Sequence, residues 1–353
     1  MELYDELPEP PRAPAQAKSS PDHQPPNGNS SGKRRAEASD LDSCEGAHQE
    51  KKVCKGFFSL RAHVAERRGE REELQDAHTI CDLSEECQPM LNNISRLSYY
   101  AVFDGHGGSR AARYAAQNLH RNLVKKFPRG EGGSVDKAIK KSLLDAFKQT
   151  DEEFLKQAAS QKPAWKDGTT ALCVLVADNV LYIANLGDSR ALLCRMNEET
   201  QKPTVLSLSK EHSPTQYEER MRIQRAGGNV RDGRVLGVLE VSRSLGDGQY
   251  KRWGVINVPD VKRCPLTDHD RFVLLACDGL FKAFSAEEAI NFILSHVQVS
   301  LYSSKWHYEK EKDINPYPHM DVIIRPCGRI LFQTGTCYYV QLLAPAHEQS
   351  QHQ

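Results

Sequence analysis

The feature that most constrains the fold is the segment 171–195, ALCVLVADNVLYIANLGDSRALLCR. Three apolar runs alternate here with two short turns, Asp178-Asn179 and Gly187-Asp188-Ser189. Turns this short join strands that run in opposite directions, because parallel neighbours need a much longer crossover. The segment therefore predicts three antiparallel strands joined by two hairpins.

Two long segments have the apolar spacing of amphipathic helices. Residues 109–127 and 135–159 both repeat apolar positions every three or four residues, which is the period of an α-helix. Hairpins together with paired helices indicate an α+β domain, in which helices cover the faces of antiparallel sheets.

The composition argues against several classes of function. Lys plus Arg and Asp plus Glu number 47 each, so no net charge attracts the chain to nucleic acid or to a membrane surface. No stretch approaches the roughly 20 apolar residues of a membrane-spanning helix, and the N-terminus lacks the apolar core of a signal peptide. The 10 cysteines form no C-x-x-C pair, which argues against a zinc site or a disulfide framework. We therefore expect a soluble, cytoplasmic protein.

Residues 1–55 differ in composition from the rest of the chain. They are rich in Pro, Ser and Gly and poor in large apolar side chains, so we predict that they are disordered. Two basic clusters, Lys33-Arg34-Arg35 and Lys51-Lys52, allow a nuclear-import hypothesis. Such clusters are also common in disordered tails that have no targeting role.

Three carboxylates stand beside a glycine at the ends of apolar runs: Asp104, Asp188 and Asp278. Each one alone is typical of an ordinary turn, in which Asp bonds its own backbone and Gly adopts a positive φ. Three together predict convergence at rigid strand ends, where carboxylates repel one another unless a cation lies between them. Oxygen ligands without Cys or His at zinc spacing favour Mg²⁺ or Mn²⁺.

Three further candidates each allow two interpretations. Arg71 is either a surface ion-pair partner or a bidentate clamp for phosphate. Asp76 is either another carboxylate near the metals or the cap of a turn. His106 is either a turn histidine bonded to backbone or a proton donor.

Six motifs carry a resemblance to a known family. In order and spacing they resemble those of the metal-dependent serine/threonine phosphatases of type 2C, the PPM family, over about residues 56–297. The motifs are REELQDAH (71–78), VFDGHGGSR (102–110), DGTTA (167–171), NLGDSRALL (185–193), LEVSRSLGDGQYK (239–251) and LLACDGLF (274–281).

The resemblance implies a fold, an activity and two metal ions. The fold is a four-layer α-β-β-α sandwich, with two antiparallel sheets flanked by helix pairs. The activity is dephosphorylation of phosphoserine and phosphothreonine in proteins, by a water that bridges two Mn²⁺ or Mg²⁺ ions and attacks phosphorus. Residues 212–250 resemble the flap beside the family's active site.

The resemblance also implies a role for each candidate residue. Asp104 would bridge both metals, the carbonyl of Gly105 would bind one of them and Asp278 the other. Asp188 would belong to a looser outer metal site, and Asp76 would be a carboxylate near the metals. Arg71 would hold the phosphate oxygens, and His106 would protonate the departing Ser or Thr oxygen.

Two substitutions depart from the family pattern near the site. Gln75 stands where many members have Glu, so one indirect metal contact loses its negative charge. Lys282 stands where many members have an Asp for the outer metal, and its ammonium group could occupy that charge position. A third metal is therefore not expected.

The most serious departure lies in residues 298–353, a divergent tail in place of the family's last helix and strand. That strand normally opens with an Asp-Asn pair whose Asp binds metal, and the tail contains no such pair. Asp321, which precedes Val322-Ile323-Ile324, is the one plausible replacement. Residues 329–343 are predicted to form a hairpin around Thr334-Gly335, and losing the last strand would expose a sheet edge.

Two functional hypotheses of different class follow. One is a working phosphoprotein phosphatase that holds one metal more weakly than usual. The other is a catalytically impaired isoform that acts as a binding or regulatory protein. A nucleotide-binding role for glycines 105–108 is weak because no G-x-G-x-x-G motif is present. Resemblance to one branch of the family implies integrin-linked kinase as a partner beside phosphoprotein substrates, and we expect a monomer.

Overall fold

The computed structural model describes residues 58–67, 72–87, 94–127, 134–302, 321–324 and 335–343, with side chains up to residue 295. The chain divides into two units, Met1–Gln49 and Glu50–Gln353, and every described residue belongs to the second. The segment 1–55 lies outside the described residues. Its predicted disorder, and the domain boundaries at 55 and 297, stay predictions.

The described residues form a mixed α/β fold with antiparallel sheets and several helices. The helices are α1 Ser84–Cys87, α2 Arg110–Lys126, α3 Val135–Ala159, α4 Tyr217–Arg225, α5 Gly248–Lys251, α6 Asp278–Phe281 and α7 Ala286–Tyr302. The strands are β1 Ser59–Arg67, β2 Ala77–Asp82, β3 Leu97–Phe103, β4 Gly105–His106, β5 Gly168–Thr169, β6 Ala171–Ala177, β7 Val180–Leu186, β8 Arg190–Met196, β9 Pro203–Ser207, β10 Val230–Arg231, β11 Arg234–Val235, β12 Leu245–Gly246, β13 Asp260–Pro265, β14 Asp270–Ala276, β15 Asp321–Ile324 and β16 Gly335–Leu343. Across the described part of the chain, no helix is both long enough and apolar enough to cross a bilayer.

Two large sheets organise these strands. One has six strands in the order β15-β1-β16-β14-β8-β9, and the other has five in the order β13-β7-β6-β3-β2. A small sheet, β12-β5-β4, and the pair β10-β11 complete the set among the described residues. Neighbouring strands of the two large sheets run antiparallel, except for the parallel pair β1 and β15.

The first predicted hairpin is confirmed and the second is wrong. Strands β6 and β7 pair antiparallel across a turn in which Asp178 has φ 50°. Strand β8, in contrast, pairs with β9 and β14 in the other large sheet. The turn at Gly187 therefore carries the chain from one sheet to the other. A short turn fixes the reversal of direction, but it does not decide which strand becomes the neighbour.

Three buried clusters explain why the central strands read as unbroken apolar runs. One cluster combines side chains from both large sheets, among them Tyr100, Val102, Ile183, Val273 and Leu275. Alternate residues of the same strands face two further clusters. One of these joins the five-stranded sheet to α2 and α3, and the other joins β8 and β14 to α6 and α7. Both faces of the central strands β3, β6, β7, β8 and β14 are thus covered, so neither face of these strands needs polar residues.

The segment 212–250 is held by a buried ion-pair network. Glu219 of α4 is 3 % exposed and accepts hydrogen bonds from Arg222 at 2.8 Å and Arg243 at 2.7 Å. Burial opposes ionisation, but the two guanidinium groups and the Ser242 hydroxyl outweigh it and hold the pKa of Glu219 well below its usual range. This network joins α4 to Ser242 and Arg243, which lie in the later part of the segment.

The divergent tail contributes two strands to the six-stranded sheet. Gly335–Leu343 runs as one strand between β1 and β14, with Tyr339 level with both His63 and Leu274. The predicted hairpin around Thr334-Gly335 is therefore wrong, because β1 and β14 occupy both edges of β16. Strand β15 pairs with β1. Helix α7 also continues across the predicted boundary at residue 297.

The central position of β16 gives a first prediction. Replacing Tyr339→Pro removes a backbone donor from a strand that is paired on both sides, which we expect to lower the free energy of unfolding by about 3 kcal/mol. Chemical denaturation monitored by circular dichroism measures this change. The matched variant Tyr339→Val keeps the donor and a strand-forming side chain. Equal stability of the two variants would contradict a central β16.

Candidate metal centre

Strand pairing brings four carboxylates to one end of the two large sheets. Asp104 follows β3 directly and Asp76 precedes β2, and these antiparallel strands place Ala77 opposite Phe103. Asp278 follows β14 and Asp188 precedes β8, and here Ala276 lies opposite Arg190. Each pair of neighbouring strands thus delivers two aspartates to the same edge.

The side chains meet where the two pairs of strands end. Carboxylate oxygens of Asp76 and Asp104 and the sulfur of Cys277 all lie within 4.8 Å of one another. The carboxyl group of Asp278 also lies close enough to that of Asp104 for the two to share a proton, which raises the pKa of Asp104. The structure therefore brings together the four predicted aspartates, and it adds the Cys277 thiol.

The electrostatics of this cluster favour a cation. Burial, followed by the charges of Asp76, Asp278 and Asp188, raises the pKa of Asp104 well above its ordinary value. Burial and the charge of Asp278 raise the pKa of Asp188 to about 6. Grouped anions of this kind are what divalent cations with oxygen ligands neutralise. The four carboxylates fit Mg²⁺ or Mn²⁺, whereas Cys277 also belongs to the buried apolar cluster between the two large sheets.

The backbone of Asp104 is fixed by two threonines of the DGTTA motif. Its N–H donates to the Thr170 hydroxyl at 3.1 Å, and its carbonyl accepts from the Thr170 N–H at 2.9 Å. The Thr169 hydroxyl donates to the same carbonyl at 3.0 Å. These bonds set the direction in which the Asp104 side chain leaves the strand.

Gly105 is required by the close approach of a neighbouring backbone. A Cβ at this position would lie 2.2 Å from the carbonyl oxygen of Gln75 and 3.1 Å from Cβ of Ala112. The absence of a side chain lets the segment that carries Asp76 pack directly on the strand that carries Asp104. Whether the Gly105 carbonyl binds a metal stays a prediction.

His106 lies beside the aspartates and has a partner that the sequence reading missed. Its Nε2 lies 2.7 Å from Oδ2 of Asp247, which is 2 % exposed. Burial opposes the imidazolium charge, but Asp247 outweighs it and the pKa of His106 is raised. Asp247-Gly248 shows the same Asp-beside-Gly signal as the predicted aspartates, so the pattern could have flagged it.

The ammonium group of Lys282 lies beside Asp278, as predicted from the sequence. Its Nζ forms an ion pair with a carboxylate oxygen of Asp278, four residues earlier. Burial opposes the charge, but Asp278 outweighs it and raises the pKa of Lys282. The Lys282 charge also acts against the rise in the pKa of Asp188. A protein cation therefore lies on the outer side of the cluster.

The tail brings no acidic residue to this end of the sheet among the described strands. Cys337 of β16 lies opposite Ala276, so the start of β16 points to the same edge as Asp278. Residues 325–337, RPCGRILFQTGTC, include neither Asp nor Glu. Strand β16 thus takes the place of the family's last strand. Its start carries no carboxylate that could replace the family's metal ligand.

Asp321 is not positioned to replace that carboxylate. It pairs with Arg61 of β1, whereas Ala65 is level with Cys337. Four residues along a strand span about 13 Å, and three strand spacings from β15 to β14 add about 14 Å across the sheet. The replacement hypothesis for Asp321 is wrong in this register. Arg71 lies outside the described residues, so its role as a phosphate clamp stays a prediction.

Repulsion within the cluster predicts how metal affects stability. Well below pH 4 the carboxyl groups of Asp104 and Asp188 are neutral in both the folded and the unfolded chain. As pH rises through the raised folded pKa values of these two groups, wild-type stability falls unless a cation binds. In EDTA at pH 7, we therefore expect Asp104→Asn to raise the melting temperature by roughly 2–5 °C.

Differential scanning fluorimetry between pH 4 and 8 measures this effect. Mn²⁺ should stabilise the wild-type chain and should have little effect on Asp104→Asn. The exposed turn residue Asp232 provides the control variant Asp232→Asn, which should behave as wild type. A metal-free Asp104→Asn chain less stable than wild type at pH 7 would contradict the predicted repulsion.

Comparisons with known proteins agree with this geometry. The family model described as protein phosphatase 2C matches residues 60–305. An integrin-linked kinase-associated serine/threonine phosphatase 2C from Bos taurus is 62% identical over 322 residues, which cover 84% of this chain and 87% of that protein. Its counterpart from Homo sapiens is 72% identical over 250 residues, which cover 70% of this chain and 64% of that protein.

Solved structures support the fold. The crystal structure of a serine-threonine phosphatase 2C from Toxoplasma gondii superposes with a TM-score of 0.60 at 18% identity, covering 83% of this chain and 98% of that chain. A C. elegans sex determining protein gives a TM-score of 0.60 at 24% identity, covering 82% of this chain and 66% of that chain. With the family match over most of the described residues, this chain belongs to the protein phosphatase 2C family of metal-dependent protein serine/threonine phosphatases.

Proposed function

We propose that this chain itself hydrolyses phosphoserine and phosphothreonine in proteins in a metal-dependent reaction. The observation that carries the proposal is the convergence of Asp76, Asp104, Asp188 and Asp278 next to His106. The cluster can hold cations, and the histidine can supply a proton. Both are needed to expel an alkoxide from a phosphate monoester.

We assign two Mn²⁺ or Mg²⁺ ions to this centre. Asp104 would lie between them, with the Gly105 carbonyl, Asp76 and Asp278 as further oxygen donors and Asp188 on the outer side. When bound, such cations supply Lewis acidity toward phosphoryl oxygens and lower the pKa of a water in the site. The four carboxylates bring the matching negative charge.

His106 and Arg71 take the two remaining roles in the proposal. His106 has a raised pKa and lies two residues from Asp104, so it is suited to give a proton to the departing Ser or Thr oxygen. Arg71 is proposed as the residue that holds the phosphate oxygens, on the basis of its motif alone.

Lys282 is proposed to replace an outer third ion. Its ammonium group contacts Asp278 and acts on Asp188, so it neutralises the two aspartates that an outer ion would share. Two divalent ions offset the four aspartates, and the lysine adds one further positive charge on the outer side. The chain would bind two ions where an Asp at position 282 would recruit a third.

The alternative function is that of an impaired isoform which binds the family's partners without turning them over. The observation that favours it is the absence of an acidic residue in 325–337, at the start of β16. One ion would then lack a carboxylate. Asp278 keeps its position after β14, which favours a weakened site over an abolished one.

The remaining expectations rest on the relatives and on composition. The name of the Bos taurus relative associates that protein with integrin-linked kinase, so we propose this kinase as a candidate partner. We propose a monomer in the cytoplasm, with nuclear entry through the basic clusters. The three buried clusters support a four-layer α-β-β-α arrangement for the domain.

Turnover of a phosphothreonine peptide tests the proposed activity. We expect release of phosphate that rises with Mn²⁺ or Mg²⁺ and is lost with EDTA. Asp104→Asn should reduce kcat/KM at least 100-fold because it weakens both ion sites. Glu199→Gln, in the exposed turn between β8 and β9, should have no effect. A folded wild-type chain that binds Mn²⁺ but shows no turnover would favour the impaired isoform.

The role of Lys282 is tested by counting ions. Isothermal titration calorimetry should give about two Mn²⁺ ions per wild-type chain. Lys282→Asp adds a carboxylate beside Asp278 and Asp188, so we expect one further, weaker ion. Lys282→Gln removes the charge without adding a ligand and serves as the matched variant. An unchanged ion count in Lys282→Asp would contradict the replacement.

A further inference from the structure

His106 is held through one of its two ring nitrogens. Nε2 lies 2.7 Å from Oδ2 of Asp247. Within the described residues, the hydrogen bonds of this imidazole include none from Nδ1. The ring is therefore anchored on one side, and its other nitrogen remains available to a substrate.

Asp247 is itself fixed before it meets the histidine. Its side chain is 2 % exposed, and Oδ2 also accepts a hydrogen bond from the Ser244 hydroxyl at 2.6 Å. Its backbone has φ 52° and ψ 40°, a left-handed conformation, and its N–H donates to the Asp167 carbonyl at 3.0 Å. A buried carboxylate held in this way has little freedom to leave the imidazole.

The small sheet β12-β5-β4 brings the two residues together. Its central strand pairs Gly168 with His106 on one side and with Gly246 on the other. A Cβ at position 168 would lie 2.2 Å from Oδ2 of Asp247 and 2.3 Å from Nε2 of His106. The contact thus exists because residue 168 has no side chain.

The segment that carries Asp247 is also tied to helix α3. Asp151 of α3 is 2 % exposed and accepts hydrogen bonds from the Gly246 N–H at 2.7 Å and from Asn257 at 2.7 Å. Lys251 lies 3.0 Å from the same carboxylate and donates to the Ser244 carbonyl at 2.8 Å. The position of Asp247 therefore depends on the folded core and does not depend on a bound ligand.

We propose that Asp247 is the positioning residue of His106, which it orients so that Nδ1–H faces the leaving oxygen of the phosphoester. Asp247 accepts Nε2–H and fixes the ring plane, as a carboxylate does for a catalytic imidazole in other hydrolases. This inference rests on the proposed phosphatase function. It assigns to the LEVSRSLGDGQYK motif a part in the proton transfer.

The proton balance of the step is simple. Water oxygen forms a bond to phosphorus, and its two protons stay on the phosphate product or pass to solvent. The bond from phosphorus to the Ser or Thr oxygen breaks with its electron pair remaining on that oxygen. The proton on Nδ1 passes to this oxygen to give the alcohol. The neutral imidazole then regains a proton from solvent, while Asp247 stays ionised on Nε2–H.

Two substrates with different leaving groups separate positioning from folding. A phosphothreonine peptide needs a proton on its leaving oxygen, whereas p-nitrophenyl phosphate releases an anion that is stable at neutral pH. We expect Asp247→Asn to lower kcat on the peptide roughly 10- to 100-fold and on p-nitrophenyl phosphate less than about 3-fold. Glu199→Gln, in the exposed turn between β8 and β9, is the control and should leave both rates unchanged.

A double-mutant cycle asks whether Asp247 acts through His106. In the His106→Ala background, Asp247→Asn should lower peptide turnover by less than about 2-fold, because there is no ring left to orient. Circular dichroism checks that each variant folds. Ser244→Ala removes the hydroxyl that donates to Asp247 and therefore tests the same positioning role. We expect it to lower kcat roughly 3- to 10-fold, and only on the peptide.

A spectroscopic readout tests the contact without turnover. In the Mg²⁺-loaded full chain with ¹⁵N-labelled histidine, the His106 Nε2–H proton should resonate downfield and should disappear in His106→Ala. It should move upfield in Asp247→Asn and stay in place in Glu199→Gln.

Equal losses on the two substrates, an additive loss in the His106→Ala background, or an unmoved Nε2–H resonance would each overturn the inference alone. A folded, metal-loaded wild-type chain inactive on both substrates would overturn the proposed function and this inference with it.

Discussion

Repulsion among aspartates at the ends of two sheets is the interaction on which the rest of this structure depends. The cluster around Asp104 exists because apolar strands stop at a common edge, and both sheets are buried deeply enough to hold that edge rigid. Burial strengthens the repulsion, since it removes the water that would screen it. A divalent cation relieves the repulsion, so the same packing that stabilises the core also creates the demand for metal.

Much of this edge could be predicted from the sequence, because strand ends carry local signals. Asp104, Asp188 and Asp278 each stand beside a glycine at the end of an apolar run, and the structure brings all three together. Pairing partners carry no such signal. The short turn at Gly187 predicts a hairpin, yet β8 joins the other sheet, because its apolar residues pack against helices and strands distant in sequence.

The same limit applies to Asp247, whose link to His106 the sequence does not indicate, and to Asp321, which the sequence predicts as a replacement ligand. Asp247 lies 141 residues from His106 along the chain, and only the register of the small sheet makes them neighbours. Asp321 precedes an apolar triplet as a metal ligand of the family would, but its strand aligns with Arg61, far from the cluster. A shift in register decides both cases, and register depends on the whole sheet.

The number and location of cations in the folded chain test most directly whether bound metal relieves the repulsion among the aspartates. Crystals soaked in Mn²⁺ and measured near the manganese absorption edge would give anomalous difference density for each bound ion. We expect two peaks about 4 Å apart, with the carboxylate of Asp104 between them and Lys282 still on Asp278. Density at neither side of Asp104, in a chain that otherwise keeps this fold, would contradict this expectation.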